Sequence, residues 1–406
     1  MHTFEECLVE KIGIGVIGIG GFAMTHLDAL SRCGDDAELR AVVVPLPWNA
    51  AYNEESREKE LAARGVRIYR DYRDMIASER DRIRLVTIPV GIRFHAPMSI
   101  AALAAGYDVL CEKPVAGNVA DAAEMAEAAR LAGRRLAIGY QHLHTRAIQR
   151  IKRITLEGTL GRLKEARTIV LWPRDSSYYA RNNWAGRLTV DGVRIYDSPV
   201  QNAAAHFLQN MLYVAGNSAD SCAEPSSVYA ENYHANDIDS ADTQFVRVAT
   251  ADGARLHFVS SHAVPVLREP HTEFIYDQGR IVWEYDGSTT VFLRSTQIDS
   301  FDNGGEVSHD LPFRDMIDAL RAERPPKVHI GNSIQHTRVV ESAFASSGGV
   351  TAVPASEVEQ SATRTGTITV IRNIVPVLEA AYESGEGFAA RGTPWARGGK
   401  EILIPR

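Results

Sequence analysis

Residues 12–26 read IGIGVIGIGGFAMTH. A run of isoleucine and valine interleaved with glycine ends in Gly18-x-Gly20-x-x-Ala23, and a helical pattern over residues 22–33 begins at once. Strand, glycine turn and helix in that order serve a physical purpose. A helix N-terminus carries main-chain N–H groups that favour anions, and glycine lets an anion reach the backbone. On this reading Gly18 makes the tight turn, Gly20 admits a pyrophosphate and Ala23 keeps the helix close to the sheet. The pattern points to dinucleotide binding.

Working outward, the first third of the chain alternates two periodicities. Apolar, β-branched runs fall at Ile12–Ile17, Leu39–Val44, Val66–Tyr69, Leu85–Ile88, Val109–Cys111 and Leu136–Ile138. Helical patterns lie between them, among them NVADAAEMAEAARLAG, which stops at Gly133. Such alternation predicts a doubly wound parallel sheet, a Rossmann domain over residues 1–145. Further on, ADTQFVRVAT, ARLHFVSSHAV and TEFIYDQGRIVWEYDG have strand periodicity and glycine-containing turns without helices between them. Helical patterns return in NSIQHTRVVESAFASS and TVIRNIVPVLEAAYESG. Residues 146–406 are therefore expected to form an α+β domain with a large, mainly antiparallel sheet, for substrate binding and oligomerisation. Its C-terminal helices are candidates to pack back on the first domain.

The totals set bounds. A chain of 406 residues exceeds one ordinary core, and 45% hydrophobic with 23% charged residues describes a globular protein. A net charge of −7 gives no electrostatic reason to expect nucleic acid or anionic lipid. The start, MHTFEECLVEK, lacks the basic and apolar regions of a signal peptide, and no apolar run is long enough for a membrane span. Cys7, Cys33, Cys111 and Cys222 lie too far apart for a zinc cage, and suit a reducing cytoplasm. No histidine set reads as a metal site, so no metal is expected.

Three further stretches bear on chemistry. The second strand ends Val44-Pro45-Leu46 where an acid that grips the adenosine ribose is expected, so NAD and NADP are not separated there. Glu54 and Glu55 tip the balance slightly to NAD, Asn49 being a candidate for its ribose and Arg57 for the phosphate of NADP. Next, Glu112-Lys113-Pro114 closes a buried strand on the sheet edge where ligands bind, with Pro114 fixing the backbone of Lys113. In YDSPVQNAAAHFLQNMLYVAG, Ser198 reads as a helix cap, Pro199 as the first helical residue and Gly216 as the stop. Asn202 and His206 then stand one helical turn apart, away from the apolar stripe. Finally, LWPRDSSYYARNNWAGRL is dense in aromatic, amide and guanidinium groups. Tyr179, Arg181, Asn183 and Trp184 are its candidates for a polyol pocket, and His262 reads as core or pocket.

The glycine turn, VTIPVGIRFHAPMSIAALAAGYDVLCEKPVAG and the His206 helix together resemble the Gfo/Idh/MocA oxidoreductases. Glu-Lys-Pro is the most specific part of the likeness. The resemblance implies NAD(P)-dependent hydride transfer at a secondary alcohol or ketone of a sugar, sugar derivative or cyclic polyol, in a homodimer or homotetramer. It implies Lys113, His206 and Asn202 as catalytic residues, Lys113 binding the reacting hydroxyl and His206 taking its proton. The cofactor set is Gly18, Gly20, Gly21, Phe22, Ala23, Val44, Pro89, His95, Glu112, Lys113 and Gln141. The family's helix usually reads Asp-x-x-x-His, and Asn202 departs from it; Asp197 lies at the helix start and is not assumed to substitute. A cofactor-retaining lyase or glycosidase using transient oxidation, and a non-catalytic dinucleotide sensor, are the alternatives.

Overall fold

The computed structural model describes residues 10–405; Cys7 and the rest of the first nine residues lie outside the described residues. The chain divides into two compact units. The first contains the chain to Glu112, Ala123–Gln141 and Val307–Ile330, and the second contains Lys113–Ala122, His142–Glu306 and the chain from Gly331 on. The units thus differ from a single cut at 145. The second takes Lys113–Ala122 out of the dinucleotide-binding sequence, and the first regains a segment after residue 306.

The first unit holds β1 (Ile12–Ile17), α1 (Ala23–Ser31), β2 (Ala37–Val43), α2 (Glu54–Ala63), β3 (Arg67–Tyr69), α3 (Tyr72–Ser78), β4 (Leu85–Ile88), α4 (His95–Ala104), β5 (Asp108–Cys111), most of α5 (Val119–Ala132) and β6 (Leu136–Ile138). The strands pair in parallel in the order β3-β2-β1-β4-β5-β6. That order reverses between β1 and β4, and ligands of such sheets bind beyond the strand ends at the reversal. Every residue of β4 and β5 is buried, as a sheet covered on both faces requires. Ile14, Val16, Val42, Leu85 and Leu110 share one core with Phe313, Met316, Ile317 and Leu320. The regained segment is therefore part of this core.

The second unit begins, after Lys113–Ala122, with α6 (Arg146–Glu157), β7 (Leu163–Leu171), α7 (Ser176–Ala180) and the short pair β8 (Thr189–Val190) and β9 (Val193–Arg194). It continues with α8 (Ala205–Val214), β10 (Pro225–His234), β11 (Thr243–Thr250), β12 (Arg255–Ser261), β13 (Arg268–Tyr276), β14 (Gly279–Glu284), β15 (Thr289–Leu293) and β16 (Thr296–Phe301). α9 (Leu311–Arg321) belongs to the first unit; then come α10 (Ile330–Ser347), β17 (Thr351–Ala352), β18 (Val358–Ala362), β19 (Thr367–Ile371), α11 (Ile374–Ser384) and β20 (Ile402–Leu403). The large sheet runs β16-β15-β14-β13-β7-β12-β11-β10-β17, with β20 added on β10. Its pairings are antiparallel except β7 with β12 and β10 with β17. Burial alternates along β13, so one face of that strand is covered. Tyr233, Phe245 and Val259 of the sheet form a core with Leu378, Ala381 and Tyr382 of α11.

Two helical readings are corrected. Thr369, Val370 and Ile371, which open the last pattern, belong to β19, paired with β18, and the helix starts only after Asn373 turns left-handed at φ 50°. Thr-Ile-Thr-Val-Ile is a β-branched run, and the local partner strand decides its state. The helix expected from Ser198 is likewise broken. Pro199–Ala203 form a π-helical turn, Ala204 departs to φ −115°, and α8 starts at Ala205.

His262 and His336 are buried in the second unit, with Nδ1 of His262 2.8 Å from Trp172 O and Nε2 of His336 3.0 Å from Val200 O. Burial pushes both imidazoles down to about 3. Below about pH 6.5 the unfolded chain binds these protons while the folded chain does not. Their contribution to stability is therefore complete above the unfolded pKa and is lost as pH falls. Urea midpoints should fall between roughly pH 7 and pH 5, each imidazole steepening the slope towards about 1.4 kcal/mol per pH unit, and His262→Asn should make the slope shallower. A flat profile in that window would reject neutral buried histidines.

Candidate active site

In the first unit the site begins where β1 ends. Gly18 adopts φ 105°, a left-handed conformation that a side chain would strain, and its N–H donates to Val43 O at 2.9 Å. This ties the glycine turn to the end of β2. A Cβ at Gly20 would collide with the Glu54 carboxylate, so the neighbours here come against bare backbone. α1 starts without a side-chain cap or an acidic residue in its own first turn, so its N-terminal N–H groups are not taken up by a side chain of the helix. Gly18, Gly20, Gly21, Phe22 and Ala23 therefore form a cradle that fits a pyrophosphate.

The remaining cofactor candidates take several positions. Val44 follows β2, fully buried, with its N–H on Tyr69 O at 2.8 Å. Pro89 follows β4 and is buried. His95 is also buried, its Nε2 3.1 Å from Val90 O. Glu112 is buried beside His26, Oε1 to Nε2 2.9 Å. Phe22, His26, Glu112, Gln141 and His309 line one small cavity, and Phe22 lies against the rings of His26 and His309. His26 and His309 carried no sequence signal, because they sit on α1 and on the regained segment.

The second unit opens at Lys113, which is joined to Pro114 by a cis peptide bond. Its Nζ donates to the carbonyl of Asn202 at 2.8 Å and to Asn202 Oδ1 at 3.2 Å. Asn202 Nδ2 in turn donates to Asp197 Oδ1 at 2.7 Å. Asp197 is 4% exposed; its other oxygen accepts from Gly186 N–H at 2.7 Å, with Arg181 Nη2 3.9 Å away. Burial pushes the Asp197 carboxyl up, opposed by the Gly186 hydrogen bond, Arg181, Asn202 and Lys113. The carboxylate missing from position 202 is thus present one hydrogen bond further from the lysine. This corrects the expectation for Asp197: the break in the helix lets residue 197 reach the side chain of residue 202.

His206, at the start of α8, is 8% exposed and stacks on His142 with centroids 4.5 Å apart. Around this pair lie Phe207, Trp172, Trp283 and Tyr285. Tyr285 is 45% exposed, so this aromatic cluster has an open side. Trp172 was within the aromatic stretch; His142, Trp283 and Tyr285 come from distant parts of the sequence. Of the pocket candidates, Arg181 lies between the Tyr178 and Trp184 rings, 3.6 and 5.2 Å from their centroids. Tyr179 Oη is buried and makes no hydrogen bond among the described residues. Asn183 is exposed. His262 is core, fixed to Trp172 O.

Comparison with known proteins bears on this arrangement. Residues 12–140 match the model of an oxidoreductase family with an NAD-binding Rossmann fold, and residues 148–282 match the C-terminal domain model of GFO/IDH/MocA proteins. The chain belongs to the Gfo/Idh/MocA family. An inositol 2-dehydrogenase of Gluconacetobacter diazotrophicus is 33% identical over 151 residues, 37% of this chain and 43% of that protein. The match thus spans less than half the length of that relative. Among solved structures, the WlbA dehydrogenase of Bordetella pertussis in complex with NADH and UDP-GlcNAcA has a TM-score of 0.67 at 23% identity, covering 82% of this chain and 96% of that one. The aldose-aldose oxidoreductase of Caulobacter crescentus has a TM-score of 0.67 at 20% identity, covering 83% and 98%. These two are likenesses of fold. Among the described residues of this Gfo/Idh/MocA member, no group of side chains suits a metal ion, and no helix is long and apolar enough to cross a membrane.

Removing the Asp197 carboxylate leaves the Asn202 amide and the Gly186 N–H without an acceptor in a buried place. Asp197→Ala should therefore cost roughly 2–4 kcal/mol in chemical denaturation. A loss below about 0.5 kcal/mol would show that the carboxylate does not hold this turn together.

Proposed function

We propose that the chain is an NAD(P)-dependent dehydrogenase or reductase acting on a secondary alcohol or ketone of a sugar, sugar derivative or cyclic polyol. The observation that carries this is the lysine after Glu112, its ammonium aimed by the main-chain and side-chain oxygens of Asn202, in a chain whose preceding unit is of the NAD-binding kind. The relatives named inositol 2-dehydrogenase support a polyol. So does the aromatic cluster beside His206, since aromatic faces suit the C–H faces of saturated rings.

Gly18, Gly20, Gly21, Phe22 and Ala23 hold the pyrophosphate, while Pro89, Glu112 and Gln141 position the remainder of the dinucleotide. When bound, the nicotinamide supplies the two-electron acceptor or donor. The side chains handle the proton and the charge. In the oxidative direction Lys113 donates a hydrogen bond to the hydroxyl oxygen and stabilises the negative charge that grows on it. His206 accepts the hydroxyl proton on its ring, and imidazole suits this because it titrates near neutrality. Asn202 keeps the lysine in place, with Asp197 behind it. Tyr179, Arg181, Asn183 and Trp184 serve substrate hydroxyls. NAD is the proposed cofactor, because Arg57 already donates to Ile19 O and Tyr52 O at 2.9 and 3.0 Å. A homodimer or homotetramer in the cytoplasm completes the reading, and buried free Cys33, Cys111 and Cys222 suit a reducing compartment.

A second reading, a cofactor-retaining lyase or glycosidase, draws on the neutral Asn202. A panel of cyclic polyols and sugars with NAD, followed by absorbance of the reduced nicotinamide, separates the two. The dehydrogenase forms reduced cofactor in step with product; the lyase or glycosidase forms product without it. His206→Ala should lower turnover by about 10²–10⁴-fold and Lys113→Ala by a comparable factor, with unfolding midpoints recorded for both. Wild-type rates in both variants would remove the assignment.

A further inference from the structure

The sequence after β2, Val44-Pro45-Leu46-Pro47, offers no carboxylate to the adenosine ribose. The structure brings one to the glycine turn by another route. Glu54 opens α2, and its Oε2 accepts the Asn49 N–H at 2.7 Å. Asn49 Oδ1 accepts the Ala51 N–H at 3.0 Å, so the loop is fixed around the carboxylate. Oε1 faces Gly20, where a Cβ would collide with it, and accepts no hydrogen bond among the described residues. Tyr52 packs over the same two glycines, Gly20 and Gly21. Glu55, next in sequence, is exposed and paired with Lys59 at 2.7 Å.

We propose that Glu54 accepts hydrogen bonds from the adenosine ribose hydroxyls and thereby makes the chain select NAD over NADP; this rests on the dinucleotide-dependent reading above. A 2′-hydroxyl donates to a carboxylate, whereas a 2′-phosphate has no proton to offer and meets like charge. The cations that would reverse this are engaged. Arg57 serves main-chain carbonyls, and Arg70 is held bidentately by Glu58 at 2.6 and 2.8 Å and donates to Val44 O. Selection against the phosphate therefore comes from one side chain nine residues beyond Pro45, set in place by the Asn49 backbone.

Isothermal titration calorimetry of the full chain with NAD and with NADP, without substrate, tests this. Wild type should bind NAD at least about tenfold more tightly than NADP, and Glu54→Gln should bring the two within about threefold, NADP gaining and NAD losing. Glu55→Gln should leave the ratio as in wild type, which separates a contact from diffuse charge. Circular dichroism and an unchanged unfolding midpoint show that Glu54→Gln is folded. Equal wild-type binding of both dinucleotides, an unchanged ratio in Glu54→Gln, or an equal loss in Glu55→Gln would overturn the role of Glu54 and leave the dehydrogenase reading standing. Binding of neither dinucleotide by wild type would remove both.

Discussion

The ammonium of Lys113 on the main-chain oxygen of Asn202 is the constraint from which the second unit's candidate site follows. A side chain that inserts at a helix backbone disturbs its ladder, and here the backbone widens into a π-helical turn before regular α-helix begins at Ala205. The widened turn lets Asp197 reach the Asn202 amide five residues on. It also sets the direction of α8, whose ten residues are all buried, so His206 has a fixed place rather than a solvent-facing one. A stack on His142 then fixes its ring. One interaction between residues 89 positions apart therefore orders the lysine, the amide, the carboxylate and the histidine.

The glycine turn of the first unit meets a different constraint, since Arg57 donates to Ile19 O there while the Glu54 carboxylate comes against Gly20. Main-chain N–H groups and a helix dipole attract anions, and small residues leave such a backbone accessible. Beyond the turn, the carboxylate that comes against Gly20 is supplied by α2 and not by the end of β2.

The parts of the fold legible in sequence are those with a strong period. The six parallel strands and the glycine turn are read from runs of β-branched residues and from Gly18 and Gly20, since burial on both faces leaves a continuous apolar signature. Ser198 and Pro199 take the cap and first helical positions that local rules give them, but the turn they open is π-helical and regular α-helix begins only at Ala205. Thr369–Ile371 looked helical because the run continues into α11, and only the pairing of β19 with Val358–Ala362 makes it a strand. At the site, Lys113, Asn202 and His206 were legible through motif. His142 and Tyr285 were not, because each meets its neighbours across a loop or a sheet and has no fixed spacing from them, while Glu54 stood out only as half of an acidic pair with Glu55 and not as the neighbour of Gly20.

Two opposite charges at the end of a buried strand, Glu112 and Lys113, call for a physical account. Glu112, 8% exposed, is met by the imidazole of His26 from α1. Lys113 is met by the oxygens of Asn202, and it falls in the other unit. A buried carboxylate without a partner would be expensive, and so would a half-buried ammonium without acceptors. Each charge is instead met within its own unit, Glu112 by the His26 imidazole and Lys113 by the main-chain and side-chain oxygens of Asn202. Both residues therefore keep a defined place where the strand ends, which a solvated Glu-Lys pair on the surface would not.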